Sequence, residues 1–201
     1  MSGRRAVLVT PTLDVARAAA TCAQAQRLAG FPCGIIIVVE ETKRGCVIPT
    51  NCGLTAALAQ NPDYIAYLND DTRVEQDGWL ARMVEALEAW PKYGLAATSG
   101  PCRSVPQGNG FPGMEKGVTV AKHPLANFCQ VIKTDVLRQV GLYDTNLIHY
   151  AGETDFSMRA RELGWLEIWV QDVYVHHEFT ERVADWWEHD LAYYKSKWRG
   201  R

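Results

Sequence analysis

The sequence predicts a single α/β domain, a mostly parallel central sheet flanked by helices, and three observations carry that expectation. Apolar β-branched runs alternate with helical patterns, as in Ala6 to Thr10, Asp14 to Ala29 and Ile35 to Val39, which is the order of a βαβ unit. The runs are continuously apolar instead of alternating in and out, so the strands are covered on both faces. A hydrophobic content of 47% over 201 residues is enough for one substantial core.

The first helix pattern closes at Gly30 and Pro32. A short second helix is expected from Asn51 to Gln60, stopped by Asn61-Pro62, and the strand Tyr64-Ile65-Ala66-Tyr67-Leu68 follows. The third helix has the clearest signature. Trp79, Leu80, Met83, Val84, Leu87 and Trp90 form a stripe at spacings of three and four, Asp77 is placed to cap it, and Pro91 ends it. Gly94 to Thr98 reads as a strand.

From Ser99 to Pro124 periodicity vanishes and breakers accumulate, so a flexible loop is expected over about 99–124. A strand from Ala126 to Lys133 comes next, then a helix from Thr134, a helix from Asp155 to Leu163 ended by Gly164, and a strand from Trp165 to His176. An amphipathic C-terminal helix is expected over about 181–198, with Val183, Trp187, Leu191, Tyr194 and Trp198 on one face. The whole chain, 1–201, reads as one catalytic-sized domain without internal repeats.

A net charge of −2 gives no global electrostatic case for nucleic acid, so an anionic ligand must be held locally. Six cysteines are scattered without a CxxC pair, which argues against a zinc ribbon and fits reduced thiols in a cytoplasmic protein. No apolar run approaches membrane length, and no transmembrane segment is expected. The basic, aromatic Lys195 to Arg201 leaves peripheral membrane contact open, although cations at a helix C-terminus are favoured by the dipole in any case.

In an open α/β sheet, ligands bind beyond the carboxyl ends of the strands. Three ends draw attention: Val38-Val39 runs into Glu40-Glu41, Tyr67-Leu68 into Asn69-Asp70-Asp71, and Tyr174-Val175 into His176-His177-Glu178. Adjacent carboxylates at a strand end repel each other unless a cation sits beside them, and oxygen ligands suit Mg²⁺ or Mn²⁺. A histidine brought to the same point from a neighbouring strand favours Mn²⁺. An Asx turn is the bland reading of Asp70 and Asp71. Near Tyr150 to Arg159, Asp155 fits a first-turn anion, and Glu153, just ahead of the helix, is the better reactive carboxylate.

Together these pieces resemble the family 2 glycosyltransferases of the GT-A (Rossmann-like) fold. The likeness runs through VLVTPTLD (Val7 to Asp14), IIIVVEET (Ile35 to Thr42), YIAYLNDDTRVEQDGWL (Tyr64 to Leu80), GLYDTNLIHYAGETDFSMRARELGW (Gly141 to Trp165) and VYVHHE (Val173 to Glu178). Asn69 stands for the first acid of the DXD-type signature, Glu40 where Asp is usual, and Glu153 where Asp is more frequent; each keeps an oxygen acceptor.

The resemblance implies an inverting, metal-dependent transfer of a sugar from a nucleotide diphosphate donor, a UDP-sugar first of all, to a glycan, lipid-linked or other hydroxyl acceptor. Pro11 and Thr12 would line the nucleotide pocket, and Glu40 would accept hydrogen bonds from the base. Asn69 and Asp70 would face ribose and donor sugar, and Asp71 would bind Mn²⁺ or Mg²⁺ with His176, His177 being the second choice. Glu153 would be the general base, with Asp155 not separable from it by sequence. A sugar-phosphate nucleotidyltransferase would need a Gly-rich basic loop after the first strand, which Thr10 to Asp14 is not. A non-catalytic nucleotide- or carbohydrate-binding module is the remaining alternative.

Overall fold

A computed structural model describes residues 3–101, 117–178 and 184–200. Along these residues run β1 (Ala6–Thr12), α1 (Val15–Arg27), β2 (Cys33–Val39), α2 (Val47–Ala59), β3 (Tyr64–Leu68), β4 (Thr72–Val74) and α3 (Trp79–Glu88). They continue with β5 (Tyr93–Ser99), β6 (Val118–Val120), β7 (Cys129–Lys133), α4 (Thr134–Val140), α5 (Gly152–Glu162), β8 (Leu166–His177) and α6 (Ala184–Lys197). The strands form one sheet in the order β2-β1-β3-β7-β5-β8-β4, with β6 added on β8.

The sheet is mostly parallel. Strands β1, β2, β3, β5 and β8 share a direction, β7 runs against both β3 and β5, and β4 and β6 run against β8. Nothing in the apolar run of β7 marks its direction, because a strand buried on both faces has the same composition either way.

Side-chain parity builds a core on each face of the sheet. Ala6 and Leu8 of β1, with Ala66 and Leu68 of β3, pack against Cys22 and Ala25 of α1 and the α3 stripe Trp79, Leu80, Met83, Val84 and Leu87. Val7, Val9 and Ile65 point the other way, onto Val47, Leu54 and Ala57 of α2, Val136 and Leu137 of α4, and Phe156 of α5. Each fully buried aliphatic side chain contributes about 1.5–3 kcal/mol. Gly53 lets α2 lie on the sheet, since a Cβ there would come within 2.4 Å of Val9 Cγ1.

Several expected boundaries move for local reasons. Helix α2 begins at Val47, four residues ahead of Asn51, and Pro49 sits in its first turn, where no N–H is needed. Asp77 does not cap α3; Gly78, at φ 73°, occupies that position, and the N–H of Ala81 donates to the Ala29 carbonyl at 3.0 Å. Part of the breaker-rich stretch is β6, whose Val118 to Val120 pair with Val170 to Ile168. The centre of the expected loop, residues 102–116, lies outside the described residues, as does Val183 of the α6 stripe.

Strand β8 positions the site. Its first half pairs with β5; then the register jumps from Thr98 opposite Val170 to Ser99 opposite Tyr174, and the second half pairs with β4. That jump carries the histidine pair to the segment following β3. No helix among the described residues is long and apolar enough to cross a membrane, and their five cysteines, Cys22, Cys33, Cys46, Cys52 and Cys129, are all unpaired thiols.

Candidate active site

Because β1 lies between β2 and β3, the chain winds one way from β1 to β2 and the other way to β3. The carboxyl ends of β1 and β3 therefore flank a topological switch point, the place where open α/β sheets leave a crevice. Thr12 ends β1 and donates its hydroxyl to Asp70. Arg17, in the first turn of α1, reaches the same carboxylate at 2.8 Å, and Thr21 donates to the Asp70 carbonyl at 3.0 Å. Asp70 is thus engaged by β1 and α1, not left as a surface Asx turn. Pro11 is buried beside Thr12, in register with Val38.

Asp71 points elsewhere. Its Oδ1 is buried, accepts no hydrogen bond among the described residues, and lies 3.4 Å from Nε2 of His177. Asn69 Nδ2 sits 3.3 Å from the same ring nitrogen, and Phe128 stacks on the imidazole at 4.9 Å and 13°. His176 emerges on the opposite side of the ribbon and pairs with Glu75 at 3.2 Å. Alternation along β8 separates the two rings, so His177, not His176, accompanies Asp71. Among the described residues no group of three or more His, Cys, Asp or Glu is arranged to hold a metal. Two protein donors, a carboxylate oxygen and an imidazole nitrogen, are what the β3 end offers, and they suit Mn²⁺ or Mg²⁺ with the remaining ligands from outside the protein.

Glu40 follows β2, its amide donating to the Thr12 carbonyl at 2.8 Å. Hydrogen bonds from the Thr42 hydroxyl and amide hold its carboxyl below the usual range. Beside it opens a cavity of about 250 Å³ lined by Val38, Glu40, Arg44, Ile48 and Pro49 among others.

Helix α5 starts at Gly152, three residues ahead of the expected Asp155, so Glu153 lies in its first turn instead of preceding it; the two acids nevertheless separate clearly. Asp155 is fully buried; Arg159 binds one oxygen at 2.8 Å, and Lys197 at 2.7 Å and Trp198 at 3.0 Å bind the other. It is an anchor for α6. Glu153 is half-buried, and its carboxyl is pushed above its ordinary range, first by loss of water and then by the charge of Asp190. The same neighbourhood contains Cys46, raised to about 12 by burial, and the buried phenols of Tyr67 and Tyr143. Asn51 braces the turn there, exchanging hydrogen bonds of 2.9 Å with both backbone groups of Tyr143.

Arg17, Phe128 and Asp190 are contributors that sequence reasoning missed. Two carried a signal: Arg17 opposes the dipole at a helix start, and Asp190 interrupts the apolar stripe of α6 between Trp187 and Leu191. Phe128 had none, being one apolar residue ahead of an apolar strand.

This architecture defines a GT-A-type fold with an acidic site at its carboxyl edge. Residues 16–114, just under half the chain, match the family model described as Glycosyl transferase family 2. The match includes Asn69 to Asp71 and stops before Glu153 and His177. Among solved structures, the chain is similar to GalNAc-T7, crystallised with UDP, GalNAc and Mn²⁺, at 14% identity and a TM-score of 0.65 over 88% of this chain and 44% of that one. It is also similar to A197 from STIV, at 13% identity and a TM-score of 0.57 over 89% and 87% of the two chains. At such identities the likeness is one of fold, and the chain spans less than half the length of the GalNAc-T7 chain. No curated protein sequence matches.

Proposed function

We propose that the chain moves a sugar from a nucleotide diphosphate donor, UDP-linked by preference, to an acceptor hydroxyl with inversion at the anomeric carbon. The observation that carries this reading is the pair Asp71 and His177: a buried carboxylate oxygen that accepts no hydrogen bond among the described residues, 3.4 Å from an imidazole nitrogen at the carboxyl end of β3. Mn²⁺ or Mg²⁺ held by these two side chains would supply positive charge to the departing diphosphate. The UDP and Mn²⁺ bound to the GalNAc-T7 structure of the same fold support this reading.

Glu153 takes the proton of the acceptor hydroxyl as that oxygen attacks the sugar from the face opposite the diphosphate, which inverts the centre. A carboxylate whose proton affinity is raised by partial burial is a better base near neutral pH than one in water. Asp70, fixed by Thr12 and Arg17, faces the ribose and donor sugar with Asn69. Pro11 and the Thr12 backbone form the floor of the nucleotide pocket, and Glu40, beside the 250 Å³ cavity, accepts hydrogen bonds from the base. The acceptor is a hydroxyl compound that reaches Glu153.

Glu153→Gln tests the assignment. Wild-type protein with Mn²⁺ and a panel of nucleotide sugars should hydrolyse one donor slowly, and the variant should lose about 10²-fold or more of that turnover while keeping its affinity for the nucleotide. Silence of the wild type towards every UDP, GDP and dTDP sugar, without any thermal shift, would sink the proposal.

A further inference from the structure

We propose that Asp190 of α6 is the positioning residue for Glu153: its carboxylate ties down the backbone that leads into α5 and sets a fixed negative charge beside the base. The inference rests on the assignment of Glu153 above.

The Asp190 side chain is fully buried. Oδ1 accepts the N–H of Ile148 at 2.9 Å, and Oδ2 accepts those of His149 and Tyr150 at 2.8 Å each. Three consecutive amides aimed at one carboxylate form an anion-binding nest, here filled from within the chain. The opposite side of the segment is held by the start of α2. Val47 donates its N–H to the Ile148 carbonyl at 3.2 Å, the Cys46 thiol donates to the His149 carbonyl at 3.0 Å, and Gly45 packs so tightly that a Cβ would lie 2.2 Å from the Ile148 oxygen.

What this clamp secures is the next residue. Ala151 is left-handed at φ 58°, a conformation costly for a residue with a Cβ, and it caps α5 without any side-chain hydrogen bond. Gly152 follows, pressed between Tyr143 and Val47, and then Glu153. A strained residue persists only where its surroundings over-determine it. Here they do so through Asp190 on one side and Gly45 to Val47 on the other. Docking of α6 itself does not need Asp190, because Lys197 and Tyr193 bind Asp144, and Lys197 and Trp198 bind Asp155.

The charge has its own consequence. Cys46 just ahead of α2, Tyr67 from β3, Tyr143 and, on α6, Tyr194 face Glu153 and stay neutral near pH 7, their pKa values raised chiefly by burial. Asp190 alone among these neighbours is ionised. Burial works to raise its pKa, but the amide donors and His189 outweigh that and hold it low. His149, lowered by burial, and the half-exposed His189 face Asp190 from its own side.

Asp190→Asn keeps the shape and removes the charge; Asp190→Glu keeps the charge and displaces it by one methylene. In the full chain with Mn²⁺ and the donor that wild type turns over, Asp190→Asn should lower kcat about tenfold or more. It should also move the acid limb of the kcat profile to lower pH by about half a unit, with UDP affinity held within about twofold. Asp190→Glu should lower kcat without moving that limb. A ¹³C carboxylate titration of Glu153 reads the same coupling without turnover, so it decides the inference even if no donor is consumed and the transferase reading itself falls. Overturning results are a Glu153 titration unchanged in Asp190→Asn, or losses of kcat and UDP affinity in equal measure in both variants.

Discussion

Nε2 of His177 and Oδ1 of Asp71 lie 3.4 Å apart although 106 positions separate them in the chain, because the β8 register jump lays the histidine beside the β3 end. Asp71→Ala and His177→Ala should each weaken Mn²⁺-dependent UDP binding about tenfold or more, whereas His176→Ala, which removes the Glu75 ion pair and an edge-on ring contact with Tyr174, should leave it unchanged. Calorimetric titration of UDP with and without Mn²⁺ reads all three. Equal losses for His176 and His177 would contradict the side-to-side separation of the two rings.

Gly45 offers a second test, remote in sequence from the α5 acids. At φ 94° and with the Ile148 carbonyl 2.2 Å from where a Cβ would stand, Gly45→Ala cannot be accommodated without moving the 148–150 segment. Turnover should fall more steeply than UDP affinity, since Glu153 moves and Asp71 does not. Stability should drop by about 1–3 kcal/mol in urea unfolding. A variant with wild-type kcat would show that the segment tolerates displacement.

Sequence reading found the longer elements and the acidic strand ends, but not the short strands β4 and β6, because a long apolar run and an acidic pair are local properties. Continuous apolar runs mark two-sided strands, and a pair of adjacent acids marks an electrostatic anomaly wherever it falls. What stayed hidden depends on register or direction. The choice between His176 and His177 turns on which side of β8 meets Asp71, and a one-residue slip would exchange them. Glu153 and Asp155 were inseparable until α6 was placed, since only the packed helix brings Lys197 and Trp198 onto Asp155. Asp77 had the right chemistry for a cap, but the Ala29 carbonyl, contributed by a distant turn, met the free amide instead.

Asp155→Ala should act on stability and not on nucleotide binding. Removing a fully buried carboxylate leaves Arg159 and Lys197, both largely buried, facing each other without their shared anion. The loss should be about 3 kcal/mol or more. Lys197→Ala should cost less, because Arg159 still neutralises Asp155. Urea unfolding gives the energies, and amide exchange should show α6 opening first. An Asp155→Ala protein as stable as wild type would remove the ion cluster from the list of supports.

Glu167 gives the pH dependence its sign. The side chain is buried in β8 and touched by Gln130 at 2.9 Å, Leu125 at 3.2 Å and Arg161 at 3.5 Å. Loss of water outweighs these partners and lifts its pKa from 4.5 to about 7. The folded chain then holds a proton that the unfolded chain has already released, so between about pH 4.5 and 7 this group makes stability fall as pH rises. Depressed carboxylates such as Asp172 and Asp190 act oppositely, but their contribution is complete above the unfolded carboxylate range. Glu167→Gln mimics the protonated form at every pH. Its melting temperature should therefore track wild type near pH 5 and rise relative to wild type by pH 8, when the native protein must ionise a buried acid. A difference between the two proteins that stays flat from pH 5 to 8 would mean that Glu167 is ionised throughout, with Arg161 as a full counter-charge.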